Sequence, residues 1–373
     1  MTGIEEHMDT AVATGTRIPA QRYDFSDEDI AWIQEQLGEL LRSRAFLTMG
    51  DRCAEFETRF AHLTGSRHAI AVSSGTGALE IILRAIGVEG GEVVVPTNTF
   101  AATAFAALHA GAVPVFADCG PDLIVDPDDV ERRISPATRA VIVVHIGGLV
   151  TPAVHRLREL CAAHAVGSAL DGQGAGTFGT AAAFSFFSTK VMTTGEGGMI
   201  TTDDAEIASR ARVLKDQAKR AGRNLHDLVG SNWRLSELQA ILGLAQLARL
   251  PDLLAERKRV AGVYDEAFAG GSDRLRPLVP PPAAQPNWYK YILVSEEEGA
   301  VLGSRLKPGS GVTLGGAVYE VPCHQQPVFA AFAPDRLPTA EHLCRHHVCP
   351  PIYPSLTDEE ARRVAGALLE AAS

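Results

Sequence analysis

Two segments of this sequence hold residue types whose pattern could do chemistry. Residues 73–79 read Ser-Ser-Gly-Thr-Gly-Ala-Leu, between a strand-like run and a helical stretch. Backbone N–H groups and a hydroxyl at such a helix start can hold a phosphate, aided by the helix dipole. Taken alone, the pattern fits a Ser-Gly turn with a capped helix equally well. Residues 184–190, Phe-Ser-Phe-Phe-Ser-Thr-Lys, place Lys190 just past an apolar strand and ahead of a Gly-rich turn at 194–198. A lysine at a buried strand end is costly unless neutralised or bonded, whereas an imine to a cofactor aldehyde uses the neutral amine. An exposed lysine in a turn is the plain alternative, and the phosphate loop upstream adds weight to the cofactor reading.

Two other patterns lose their chemistry in context. Residues 174–179 spell the dinucleotide fingerprint GxGxxG, but they precede a strand rather than following one and opening a helix. The segment 342–349 carries His342, Cys344, His346, His347 and Cys349 without paired ligand knuckles, so helix-end packing is the better reading and no metal is expected. The six cysteines are scattered singly, unlike a disulfide framework, and reduced thiols are expected.

The elements that must position these residues follow from apolar spacing. A helix is expected from about 24 to 42, capped by Ser26 with Asp29 three residues on. The runs HAIAVS, EVVVP, VPVFAD, AVIVVH, AFSFF and GMITT read as strands covered on both faces, alternating with helical stretches. That order implies a mostly parallel sheet. A long helical stretch covers 235–259 with a break near Pro251, and WYKYILV at 288–294 reads as another strand. The last helix is capped by Thr357 with Glu360. The organisation expected is a tail at 1–20, a large domain at 21–250 and a smaller one at 251–373.

At 373 residues with 46% hydrophobic and 21% charged residues, the chain is an ordinary globular protein. A net charge of -11 excludes a general nucleic-acid surface, because counterion-release binding needs clustered Lys and Arg. No run reads as a membrane span: the most apolar stretch, 100–117, breaks at Gly111 and Pro114 into helix, turn and strand. The acidic first residues lack the basic and apolar regions of a secretory signal, so a cytoplasmic location is expected.

The motifs SSGTGALE, VPTNTFAAT, VIVVHIGG, GTFGTAAAFSFFSTK, TGEGGMITTDD, GSNWRLSELQAILGLAQL and VYEVPCHQQPVF occur in a fixed order. From about residue 20 to the C-terminus the chain resembles the DegT and StrS type sugar aminotransferases, a branch of the fold-type-I pyridoxal-phosphate enzymes. The resemblance implies a large mostly parallel-sheet domain with a smaller C-terminal α/β domain, and pyridoxal 5'-phosphate as cofactor. It implies that Lys190 binds the cofactor's aldehyde, that Thr76, Gly77 and Ser185 bind its phosphate, and that Phe100 stacks on its ring. Asn232, in the family's N-Y-R segment, would reach the phosphate of the neighbouring subunit in a homodimer. His164 matches the Gln or His near the phenolic oxygen, and Tyr319 and His324 would face the sugar. For Phe100, Asn232 and His164 taken alone, core packing, helix capping and a helix-end position are the plainer readings. His145 reads as structural.

One part of the pattern is absent. Family members carry, after a helix like that at 154–163, a short strand ending in Glu-Asp, and the Asp pairs with the protonated pyridine nitrogen. The spacing of Gly167, Gly172, Gly176 and Gly179 fits the family's hairpin beyond that Asp, leaving roughly ten residues missing, strand included. A rival alignment gives Asp171 the pyridine role and makes AVGSAL the strand, which is weakly apolar for a central one. The function implied is transfer of an amino group, with glutamate as the family's donor, to a nucleotide-linked keto-deoxyhexose. A keto-cyclitol aminotransferase, or a degenerate paralogue that keeps fold and dimer without turnover, stand as alternatives. A sugar dehydrase is opposed by Lys190, which such relatives replace with His.

Overall fold

A computed structural model describes residues 17–157, 164–219, 223–270, 274–334 and 336–373. Most of the expected tail and the end of the helix expected at 154–163, Cys161 included, lie outside the described residues. The first helices are α1 (Asp27–Ser43) and α2 (Asp51–Thr64). Ser26 and Asp29 form a reciprocal capping box on α1. Then come β1 (His68–Val72), α3 (Gly75–Ile86), β2 (Glu92–Pro96), α4 (Ala102–His109), β3 (Val113–Ala117), α5 (Pro127–Arg133) and β4 (Thr138–Val141). A hairpin of β5 (Ala169–Leu170) and β6 (Gln173–Gly174) leads to β7 (Ala181–Ser185), β8 (Gly198–Thr202) and α6 (Ala205–Lys215). The long helical stretch splits into α7 (Glu237–Ala248) and α8 (Leu250–Ala269), with Pro251 in the first turn of α8, where its missing N–H leaves no bond unmade. The rest is β9 (Leu275–Pro277), β10 (Ala284–Gln285), β11 (Leu293–Ser295), α9 (Gly299–Ser304), α10 (Pro338–Arg345), β12 (His347–Val348) and α11 (Asp358–Ala372).

The six strands of the large sheet region form two three-stranded sheets, β3-β2-β4 and β1-β8-β7. β2 runs parallel to β3 and β4, as the intervening helices α4 and α5 require. β8 runs against both β1 and β7, because only the turn at 186–197 separates β7 from β8 and no crossover helix intervenes. β1 and β7 therefore share a direction, and β8 is the reversed strand. Among the described residues no ladder joins β4 to β7.

Burial divides into two apolar cores. One gathers β1–β4, β7, β8, α2–α4 and α7 with Cys323, Phe329 and Leu343 from late in the chain. The other joins α8, β9, β11 and α11 and takes in Ile18, whose backbone bridges Val312. WYKYILV is only in part a strand: β11 begins at Leu293. Before it the backbone is drawn elsewhere, with Trp288 at φ 52°, its carbonyl accepting from Arg257, and the Lys290 N–H bonded to the Gly147 carbonyl.

Candidate active site

The residues expected to hold the phosphate gather at the β1–α3 junction. Ser74 caps α3, its hydroxyl accepting from the Gly77 N–H at 3.0 Å. Thr76 and Gly77 lie in the first turn, where N–H groups have no partner within the helix; the Gly77 N–H is taken by Ser74, and a helix start of this kind can bind anions. Ser185 ends β7 directly beside this turn: a Cβ on Gly75 would come within 2.7 Å of the Ser185 Cβ. Gly198, first residue of β8, lies so close beneath that a Cβ there would meet the Ser74 carbonyl at 2.5 Å. Close approach, not an unusual φ, requires these two glycines. Asn232 is exposed, and the adjacent Trp233 packs where a Cβ on Gly77 would touch it at 2.9 Å.

Lys190 follows β7 in a turn, its N–H bonded to the Phe187 carbonyl. Its Nζ stands 4.7 Å from the ring centroid of Tyr289, which is buried and 3.3 Å by its hydroxyl from Thr189 Oγ1. Burial raises the Tyr289 phenol, but the charges of Lys190 and Lys290, with hydrogen bonds from Thr189 and Lys190, leave it below its ordinary value. The His164 ring also packs on Tyr289, at 4.5 Å between centroids. His164 Nε2 is 3.1 Å from the Tyr319 hydroxyl, and Tyr319 stacks in turn on Phe100, 6.5 Å away and largely exposed. Burial first, then the charges of Lys190, Lys290 and His145, hold the His164 imidazole well below its ordinary value, so it is neutral. Its Nδ1 is buried and has no hydrogen-bond partner in the described structure.

Asn287 holds this cluster in place. Its Nδ2 donates to the carbonyls of His164 and Val166 at 2.7 and 2.9 Å, and its Oδ1 accepts from the Tyr289 N–H. Gly148, at φ 90°, admits it: a Cβ there would fall 1.8 Å from Asn287 Oδ1. Sequence reasoning overlooked Asn287, Tyr289 and Lys290, because they follow a Pro-rich connection about a hundred residues past Lys190 and belong to no motif; the aromatic run itself is the only signal.

The structure brings Lys190, His164, Tyr319 and Phe100 into one chain of contacts, and Thr76, Gly77 and Ser185 into another. His324 is placed differently from an open sugar-facing side chain: it is buried, with Nδ1 2.7 Å from Thr97 Oγ1 and Nε2 3.3 Å from Glu341. Asp171 sits with Gly172 in the β5–β6 turn, both at positive φ as a two-residue hairpin demands. Its carboxylate is exposed, 4.0 Å from His155. The alignment that treats this stretch as the family's hairpin is therefore the one the geometry follows. His342 and His346 stack ring on ring at 4.0 Å, and among the described residues no three His, Cys, Asp or Glu side chains converge as a metal site. No helix of the described residues is long and apolar enough to cross a membrane.

Pyridoxal phosphate fits most of this arrangement. The amine beside an aromatic face, the helix N-terminus closed by Ser185 and two obligatory glycines, and the orphaned Nδ1 of His164 match an aldehyde, a phosphate and a polar ring substituent. An acid for the ring nitrogen is the missing piece of the sequence pattern, and the charges that act on the His164 imidazole are those of Lys190, Lys290 and His145.

Among solved structures the chain is similar to DesI, determined in the presence of its TDP-sugar product, with 30% identity, a TM-score of 0.87, and coverage of 97% of this chain and 94% of that one. It is also similar to Spr1654 from Streptococcus pneumoniae in its PLP form, with 25% identity, a TM-score of 0.87, and coverage of 95% and 98%. Fold and site thus define the class, a fold-type-I pyridoxal-phosphate aminotransferase. Residues 27–369 match the DegT/DnrJ/EryC1/StrS aminotransferase family, and the chain belongs to it. GDP-perosamine synthase of Caulobacter vibrioides is 35% identical over 364 residues, covering 94% of this chain and 96% of that protein.

Proposed function

We propose that this chain transfers an amino group from glutamate to the ketone of a nucleotide-linked deoxyhexose, as a cytoplasmic homodimer using pyridoxal 5'-phosphate. The observation that carries the reading is the position of Lys190 Nζ over the buried Tyr289 ring, next to neutral His164 with an unused Nδ1. Bound there, the cofactor supplies an aldehyde and an electron-withdrawing ring. Lys190 would hold the aldehyde, and its free Nζ would take a proton from the donor's α carbon as general base and give it back as general acid. In the second half Nζ would perform the same two proton transfers in reverse on the sugar. Ser74, Thr76, Gly77 and Ser185 anchor the phosphate, and Phe100 with Tyr319 covers the ring face. His164 donates or accepts at Nδ1, its neutral form kept by burial, while Tyr319 fixes Nε2.

The dimer is supported by Asn232, exposed next to the phosphate loop, and by the exposed apolar residues Phe46, Met49, Leu228 and Val229. The nucleotide-linked substrate rests on the names of GDP-perosamine synthase and of DesI with its TDP-sugar product. A second reading, a subunit that binds the cofactor without turning it over, is favoured by the split between β4 and β7 and by the lack of a ring-nitrogen acid.

An absorbance spectrum with added pyridoxal phosphate, before and after glutamate, tests both, with Lys190→Ala as control. A visible band that requires Lys190 and is bleached by glutamate supports the aminotransferase. A band indifferent to every amino donor supports the second reading, and no band overturns the cofactor assignment.

A further inference from the structure

Lys290 is a half-buried cation with nothing yet to do. Its Nζ stands 5.4 Å from the centroid of the same Tyr289 ring that Lys190 approaches at 4.7 Å, so both amines lie close to one aromatic ring. Its backbone is pinned, the N–H donating to Gly147 at 3.1 Å while Asn287, three residues earlier, locks the segment to His164. Among the described residues it makes no ion pair with any Asp or Glu. The space beside it is kept clear by Gly315, where a Cβ would lie 3.3 Å from Nζ.

Two ammonium groups near one buried ring repel each other, and Lys290, partly desolvated and without an ion pair among the described residues, is an unfavourable charge by itself. A ligand that brings a negative charge relieves both. The donor amino acid is such a ligand, and its shape selects the group: the carbon that bears its amine also bears its carboxylate, so an amine presented to Lys190 carries the carboxylate one bond further. The diphosphate of a nucleotide sugar is separated from the aminated carbon by the sugar ring and lies further from the reacting nitrogen.

We propose that Lys290 receives the α-carboxylate of the amino donor, placing the donor's amine at Lys190. This rests on the aminotransferase reading above and names the donor subsite within it. The assignment makes Lys290 a binding residue for the donor half-reaction alone.

The test titrates the pyridoxal-phosphate-loaded protein with glutarate, which has the donor's carboxylates and no amine, and separately with UDP, by calorimetry. Lys290→Met is expected to weaken glutarate about tenfold or more and to leave UDP within about twofold, while Lys290→Arg, which keeps the charge, stays close to the parent. The KM for glutamate should rise in Lys290→Met more than kcat falls, since the contact is made equally before and during the reaction. Equal glutarate affinity in parent and Lys290→Met, absence of glutarate binding in the parent, or loss of UDP instead of glutarate overturns the proposal. If the parent binds glutarate through Lys290 but glutamate never bleaches its absorbance, transamination falls and the carboxylate site stands.

Discussion

The two ends of the site are built from different kinds of information. At the α3 end everything is local or strictly geometric: a capped helix start, a serine ending β7, and two glycines that let three backbones touch. At the His164 end nothing is local. His164, Asn287, Tyr289 and Tyr319 come from three distant stretches and are held by one buried amide and a stack of rings. A capped helix start needs only a strand before it, but a ring-nitrogen acid in the family's pattern needs a whole strand to carry it. In this chain the capped helix start proposed to hold the phosphate is present, and the acid has no counterpart in the sequence pattern.

The contrast predicts where single substitutions act. The largest stability effect belongs to Asn287→Ala, which leaves the His164 and Val166 carbonyls and the Tyr289 N–H unpaired in a buried site. Unmade buried hydrogen bonds cost about 1–3 kcal/mol each, so a loss of about 3 kcal/mol or more in chemical denaturation is expected. Asn287→Asp restores shape but not the two donated bonds and should rescue little. At the other end Gly198→Ala drives a Cβ into the Ser74 backbone, an overpacking cost of about 2 kcal/mol, and displaces the phosphate loop. There the pyridoxal phosphate affinity, read by fluorescence titration, should fall along with stability. Under Asn287→Ala the phosphate should hold while the Lys190 band shifts. If both variants lose phosphate equally, the two ends are one unit and the comparison fails.

The same contrast explains what the sequence made legible. α1 and α11 were readable because their caps are reciprocal pairs three residues apart, Ser26 with Asp29 and Thr357 with Glu360, and α3 because Ser74 caps it one way, accepting from the Gly77 N–H. The strands of both sheets were readable as unbroken apolar runs. Parallel and antiparallel partners look alike in such runs, so the reversal of β8 shows only in the length of the turn before it. Lys190 and Ser185 stand in a motif. Asn287, Tyr289 and Lys290 do not, since their positions depend on contacts made with Gly147, Gly148 and His164 far away in the chain. WYKYILV looked like a strand by composition, and its first half is instead bent to reach the site.

A smaller effect isolates the aromatic stack. Tyr319→Phe removes one hydrogen bond to His164 Nε2 and keeps the ring over Phe100, so about 1 kcal/mol of stability should be lost. The α3 end is untouched, and pyridoxal phosphate should bind as tightly as before. A fall in phosphate affinity in this variant would mean that the two ends communicate through Phe100.

The finest discrimination uses pH. His164 titrates in the folded protein well below its ordinary value because burial, and then the charges of Lys190, Lys290 and His145, disfavour its protonated form. In the unfolded chain the same imidazole protonates near pH 6.5. Below that pH the unfolded state binds a proton the folded state refuses, so stability falls as pH drops; above it the contribution is constant. At neutral pH the difference is nil, and it opens only on acidification. Buried His324 and His347 are lowered in the same sense, chiefly by burial, so the slope of the parent sums several groups. His164→Gln removes one of them, and denaturation midpoints from pH 7.5 to 5 should fall less steeply than in the parent. An unchanged slope would mean that His164 is solvated in its charged form and that the tight, dry packing of its end of the site opens in acid without cost.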